Sequence, residues 1–382
     1  MSAPLPRLLY LFGLVNLVIG TAAFMNAGLL APMAQTFGVG VGAVGQATTV
    51  YSLATALLAP AFLVATAGLA PRVALATALS LFALGNLVTA LAQDLTTLLA
   101  ARVLMGCGSA ATALMAGMAI SVAPAERRAQ ALSIVFVGMS LSYVTGIPLA
   151  TWVGLGWGWR LPVWAAVVLV LLAALALWKA LPTARASVTG PSLSGALALL
   201  RQRAVLSVFV LTLVYFIAIF SVFSYMGPVL KSLQPMGAGA LSAVISAFGV
   251  AGVVGTLSGG RAADRWGPRR SLTISLSGIS LCQLVLPLTA GHLGAMVAVM
   301  MVWGVCGFSM MAPQQVRLAQ LAGPQTPLAL SLNNSMLYLG IALGAAVGGA
   351  ALVHLEPRHL PWVGAPFALA ALAWMRWSTR PR

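Results

Sequence analysis

Acidic residues are almost missing. Four carboxylates, Asp94, Glu126, Asp264 and Glu356, occur in 382 residues, and charged residues of both signs make up 6%. A water-soluble domain carries about 25%, so this chain lacks the surface needed to face water on all sides. Cysteine is scarce too. Cys107, Cys282 and Cys306 lie inside apolar runs with no ligand-like spacing, which excludes a disulfide framework and a thiolate metal centre. Histidine is limited to His292, His354 and His359, spread over polar gaps. Converging nucleophiles, carboxylates or metal ligands at one depth are what a membrane enzyme needs. None is visible, so neither catalysis nor a bound cofactor or metal is expected. Long polar segments, as a receptor or assembly factor would carry, are also lacking, and no obligatory protein partner is evident.

What the chain has in abundance is apolar sequence, at 61% of residues. A helix crossing about 30 Å of hydrocarbon needs about 20 apolar residues. Twelve such runs are read at 8–31, 43–65, 73–92, 97–121, 131–155, 161–180, 204–227, 241–260, 272–290, 295–312, 328–352 and 362–377. None alternates as a membrane strand does. The first run is too long for a signal peptide of about 7–15 apolar residues and reads as the first span. The net charge of +16 invites a nucleic-acid reading, but the cations fall in the gaps between runs, where topology signals belong. With the N-terminus inside, sixteen Lys and Arg face the cytoplasm and three face out, leaving Arg102 within a span. The positive-inside rule therefore places both termini in the cytoplasm.

Residues 181–203, with Pro182 and Pro191, read as a cytoplasmic linker between an N-terminal half, 1–180, and a C-terminal half, 204–382. The apolar cores of the halves, 8–180 and 204–377, have 173 and 174 positions. Equal six-helix halves indicate internal duplication, with a site at the midplane between them. The expected fold is an all-α membrane protein of twelve helices in two pseudo-symmetric halves.

One charged stretch stands out: Gly260-Arg261-Ala262-Ala263-Asp264-Arg265-Trp266-Gly267-Pro268-Arg269-Arg270. The pattern G-x-x-x-D-R-x-G-x-R-R between two spans resembles the signature loop of the major facilitator superfamily of transporters. The equivalent first-half loop, from Ala65 to Arg72, has no acid. The resemblance implies a gating role for Gly260, Asp264, Arg265, Gly267, Arg269 and Arg270. Asp264 would make a contact when the cytoplasmic side is closed and lose it on opening. In the fourth run, Arg102-Val103-Leu104-Met105-Gly106-Cys107-Gly108-Ser109-Ala110 resembles a second superfamily element. A charge at that depth is costly and marks a functional candidate. Ser109 and Thr112 share its helical face.

In the fifth run, Gly138 and Gly146-Ile147-Pro148 resemble the glycine–proline element of the drug:proton antiporter branch, with Ala150 in place of a usual glycine. Gly20–Leu30 and the Pro124–Arg128 loop resemble bacterial efflux permeases grouped with arabinose, purine-nucleoside and chloramphenicol exporters. Gly106, Gly138, Gly146 and Pro148 are read as packing positions, since small residues let helices approach in lipid.

The resemblance also implies a cavity lined by spans 1, 4, 7 and 10, with 2, 5, 8 and 11 beside them. Polar stripes then nominate substrate or proton-pathway residues: Asn16 and Asn26 on one face of span 1, Tyr51 and Thr55 in span 2, and Arg102, Ser109 and Thr112 in span 4. Tyr225 in span 7 and Asn333, Asn334 and Tyr338 in span 11 complete the set. Phe216, Phe220 and Phe223 are read as packing. The expectation is a multi-pass carrier of the bacterial inner membrane, exporting a small drug-like or metabolite molecule by alternating access with proton coupling. The missing embedded acid, with Ala23 where relatives commonly carry a glutamate, keeps open proton-independent uniport or anion-linked exchange.

Overall fold

Inside hydrocarbon every backbone N–H and C=O must be satisfied within the segment, so apolar runs of this length fold as helices. A computed structural model describes residues 7–124, 127–181 and 193–378, and among these there is no strand. Glu126, Arg185, Arg380 and Arg382, and linker residues 182–192, lie outside the described residues.

The first half holds α1 (Leu8–Phe24), α2 (Asn26–Phe37), α3 (Val41–Thr66), α4 (Pro71–Leu91), α5 (Leu95–Gly108), α6 (Ala110–Val122), α7 (Arg128–Leu141), α8 (Ile147–Trp157) and α9 (Arg160–Ala180). A short helix, α10 (Leu193–Arg201), follows within the segment read as a linker. Its Leu199 packs with Val205, Phe209 and Leu318 at the cytoplasmic end of the second half. The second half holds α11 (Arg203–Phe223), α12 (Met226–Leu233), α13 (Ala238–Val285), α14 (Leu293–Ser309), α15 (Met311–Ala322), α16 (Thr326–Ala351) and α17 (Leu360–Ser378).

These helices make twelve crossings because several spans are broken. α1 and α2 form span 1, bent by 42° at Met25. α11 and α12 form span 7, interrupted at Ser224 and Tyr225. Span 4 breaks at Ser109 between α5 and α6, and span 10 at Met310 between α14 and α15. The breaks thus fall in corresponding spans of the two halves. Span 5 carries a π-helical turn, Ser142–Gly146, between α7 and α8. Such a turn re-aims side chains and recurs at functional sites.

α13 holds two crossings, spans 8 and 9. The charged stretch, read from sequence as a loop starting after residue 260, is helical up to a single corner at Gly267 (φ 78°, ψ 158°). Apolar content ends at Gly260, but backbone hydrogen bonding does not, so Asp264 and Arg265 ride on the last turns of span 8. Only glycine adopts that corner conformation without strain, and Pro268 starts span 9 with its ring-fixed φ.

Contacts between the halves concentrate toward the outer ends. α3 meets α16, α2 meets α12, and α13 meets α8 and the π turn. By contrast α6 and α15, the cytoplasmic parts of spans 4 and 10, make their principal contacts within their own halves. The molecule is closed outside and parted on the cytoplasmic side.

Candidate functional site

Arg102 sits on α5 with its side chain 1% exposed. Its Nη2 donates to Asn26 Oδ1 at 2.8 Å, and its Nη1 approaches the Ala22 carbonyl at 3.4 Å. Asn26 is the first residue of α2, so the arginine is fixed at the bend of span 1. Tyr51, buried on α3, packs against α5 one turn beyond Arg102, where its carbonyl would lie 2.8 Å from a Cβ on Gly106. Arg102 Nε and Asn26 Nδ2 are both buried without an acceptor among the described residues.

Other polar residues expected in the cavity are engaged within one half. Asn16 and Asn26, read as sharing a face of one helix, diverge at the Met25 bend. Asn16 Nδ2 donates to the Val135 carbonyl at 2.9 Å, and Thr112 donates to Asn16 Oδ1 at 2.8 Å, tying spans 1, 4 and 5 together. The second half repeats the device with spans 7, 10 and 11. There Thr212 donates to Asn333 Oδ1 at 2.7 Å, and Gln314 Nε2 donates to Thr212 at 3.0 Å. Ser109 does not continue the Thr112 face, because span 4 breaks at it. Its hydroxyl lies 2.6 Å from the Gly106 carbonyl and 3.2 Å from Thr55 Oγ1. Asn334 is exposed on α16.

At the depth of the span breaks the halves meet through aromatic rings. Phe24, the last residue of α1, stacks on Tyr143 of the π turn at 6.0 Å and meets Tyr51 edge-on at 6.1 Å. From the other half Phe220 lies 5.8 Å from Phe24, and Phe223 and Phe308 lie 5.7 and 5.3 Å from Tyr143. Phe248 and Trp303 extend the cluster, 5.7 Å apart. Tyr338 of α16 is partly buried and packs against the same core. Phe220 and Phe223, read from sequence as packing, therefore belong to the surface where the halves touch.

The sequence reading missed Phe24, Tyr143, Phe248, Phe308 and Trp303. The duplication carried a usable signal. Phe24 and Phe223 each end the inner segment of a broken span, 199 positions apart, and Trp303 precedes its break by seven residues, as Arg102 does. The first half is thus polar at the point where the second is aromatic.

Tyr225 belongs to the outer seam rather than to this cluster. Its hydroxyl donates to the Ala345 carbonyl at 2.8 Å, and its ring occupies the space a side chain at Gly45 would need. Nearby, a Cβ on Gly42 would stand 2.7 Å from the Gly349 carbonyl oxygen of the other half. Within the first half, a Cβ on Gly138 would strike the Gly13 carbonyl, one on Gly146 the Thr21 hydroxyl, and one on Gly106 the Tyr51 carbonyl at 2.8 Å. Pro148 is buried at the start of α8, directly after the π turn.

At the cytoplasmic corner Asp264, Arg265, Arg269 and Arg270 are exposed, Gly260 and Gly267 have open space around them, and Asp264 has no partner among the described residues. In the acid-free first-half loop, Arg72 stacks over Trp178 at 4.6 Å, inside its own half. A surface groove of about 620 Å³ between Gln35, Thr36, Trp157 and Arg160 lies at the outer end of the first half, away from the aromatic cluster.

These features agree with what the chain resembles. Residues 12–326 and 236–382 match the Major Facilitator Superfamily. An inner membrane transport protein of Escherichia coli, YdhP, is 32% identical over 95% of this chain and 93% of its own length. The MFS-type transporter YbcL of Bacillus subtilis is 28% identical over the same shares. Among solved structures, a bacterial homologue of the lysosomal transporter Spinster, inward-facing and occupied, superimposes with TM-score 0.78 at 17% identity, covering 100% of this chain and 98% of that one. The nucleoside transporter NupG gives 0.77 at 15% identity, covering 99% and 100%. Two duplicated halves, closed on one side around paired helix breaks, are the architecture of a carrier rather than an enzyme, and with these matches along its whole length the chain belongs to the Major Facilitator Superfamily of alternating-access transporters.

Proposed function

We propose that the protein exports a small drug-like or metabolite molecule across the bacterial inner membrane in exchange for protons. The observation that carries the cargo site is the aromatic cluster at the paired breaks, where Phe24, Tyr51 and Tyr143 of one half face Phe220, Phe223 and Phe308 of the other. A solute held between rings contributed by both halves is released to one side or the other as the halves rock. The direction of transport rests on the antiporter-like element of span 5, whose Gly138 and Gly146 seat that span on span 1. The corner at Gly267 would gate the cytoplasmic side, with Asp264 engaging a partner when that side closes. In the present conformation it is parted, in keeping with an unpartnered Asp264. An inner-membrane location is supported by the relative YdhP.

A second reading, uniport or anion-linked exchange, is favoured by the charge inventory. None of the four acids falls within a span by sequence, while Arg102 does. Everted membrane vesicles energised to acidify their interior and loaded with a pH-sensitive dye separate the two. Phenicols, nucleosides and sugars are added one at a time. Carrier-dependent proton release on adding one of them supports antiport. Carrier-dependent uptake of a labelled compound with no proton release supports the second reading, and no carrier-dependent movement contradicts export of these classes.

A further inference from the structure

Arg102 poses a problem that the fold itself does not solve. A buried guanidinium costs several kcal/mol unless its charge is matched. Here its described partners, Asn26 and the Ala22 carbonyl, are neutral. Asp94, on the same helix, is eight residues farther out, about 12 Å along the axis. Its two oxygens are already taken by the Thr97 backbone N–H at 2.8 Å and the Thr97 hydroxyl at 2.9 Å.

Three sets of donors without an acceptor among the described residues meet instead at the Arg102–Asn26 hydrogen bond. Arg102 Nε and Asn26 Nδ2 are buried and unpaired. The twelve-residue α2 begins at Asn26, so its positive end faces the middle of the protein. Half-helices that start at bilayer depth commonly direct that end at anionic substrate groups. The surroundings beyond are aromatic: Tyr51 on α3, packed against the arginine's own helix at Gly106, then Phe24 edge-on to Tyr51, then Phe220 of the other half.

We propose that Arg102 and Asn26 form the receiving site for the charged group of the transported solute, and that this solute is a small organic monoanion with an aromatic or apolar body. The proposal rests on the transport reading above. A carboxylate or a similar anion would accept from Arg102 Nε and Asn26 Nδ2, while its body lies against Tyr51 and Phe24. A neutral solute would leave the guanidinium unmatched. The site is closed in the present conformation, and the Met25 bend is the hinge whose movement would admit the ligand.

Benzoate and benzamide, equal in shape and differing in charge, test this by equilibrium binding to the purified full-length protein in detergent. Benzoate is expected to bind at least about tenfold tighter than benzamide, the margin of a charge-assisted hydrogen bond. Asn26→Asp supplies an internal carboxylate to Arg102. It should weaken benzoate at least about tenfold, leave benzamide unchanged, and keep or raise the unfolding temperature, which guards against a mere folding defect. Arg102→Lys should retain part of the preference. Equal affinities for the two probes, no benzoate binding, or unaltered benzoate binding by Asn26→Asp would overturn the proposal. Counterflow in proteoliposomes separates its failure from that of the transport reading. A neutral solute carried at full rate by Arg102→Gln leaves transport standing and removes the anion site, and benzoate that binds but is never carried removes the site's role in transport.

Discussion

The ring of Tyr225 stands where the first side-chain carbon of any residue but glycine at position 45 would have to be. The two residues come from different halves, so this contact exists only while the outer side is closed. Gly45→Ala should therefore weaken the outer seam without harming α3, since alanine in a helix is favoured over glycine by about 1 kcal/mol. Spin-label distances across the outer ends of spans 2 and 11 should lengthen, and those across the cytoplasmic ends should shorten. Unchanged distances at both ends would show that the contact does not set the conformational balance.

Asp264 is exposed and has no described partner in the present conformation. Asp264→Asn should leave the unfolding free energy within about 0.5 kcal/mol of wild type, as for other surface changes. If Asp264 engages a partner when the cytoplasmic side closes, transport should fall about five-fold or more, the scale of a conformational coupling term. Full transport with normal membrane insertion would remove its gating role.

Asp94 caps α5, and the Thr97 backbone N–H, followed by the Thr97 hydroxyl, holds its carboxyl below the ordinary carboxylate range. A group whose pKa is lowered on folding stabilises the fold above its unfolded pKa, about 4, and that contribution is lost as pH falls through the folded value. Asp94→Ala should therefore lower the unfolding temperature at neutral pH, and the gap to wild type should close in acid. Because Asp94 stays ionised at neutral pH, the pH profile of transport should keep its shape. A shifted profile would make Asp94 part of the proton route.

Gly138 packs so closely on Gly13 that a Cβ would strike the Gly13 carbonyl, whereas Gly156 has nothing within 4 Å of the same position. Gly138→Ala should cost about 1–3 kcal/mol by forcing spans 1 and 5 apart. Gly156→Ala should be neutral or stabilising by up to about 1 kcal/mol. Thermal unfolding of both variants in the same detergent checks the contrast.

How much of this was legible in the sequence depended on the kind of signal. Apolar run length and the arginine distribution carried the spans, the topology and the two halves, because the bilayer penalises exceptions to either. The helix breaks at Met25, Ser109 and Met310 were not legible, since no proline or glycine stands at those positions, whereas Gly227-Pro228 marks a break in span 7 just after its interruption at Ser224 and Tyr225. As a result Asn16 and Asn26 were read as one face, although the bend sends one to Val135 and the other to Arg102. Polar residues were nominated for the cavity because they are polar, yet Thr112 and Asn333 spend that polarity on interhelical hydrogen bonds. The aromatic cluster drew no attention for the opposite reason. Phenylalanine and tryptophan in a membrane helix look the same in sequence whether they face lipid, a neighbouring helix or the opposite half.

The outer seam must open and close for a solute to cross, and one cross-link tests this. A Cβ on Gly42 would stand 3.4 Å from the Cβ of Leu352 in the other half, near the separation of about 3.8 Å found in disulfides, but also 2.7 Å from the Gly349 carbonyl oxygen, so the reduced double variant, already eased apart there, serves as its own reference. Gly42→Cys with Leu352→Cys is introduced after Cys107, Cys282 and Cys306, all free thiols, are replaced by alanine. Transport is then measured in proteoliposomes before oxidation, after it, and after reduction. Loss of transport on oxidation and its return on reduction is the predicted result; a fully cross-linked protein that still moves solute at the unlinked rate would contradict alternating access through this seam.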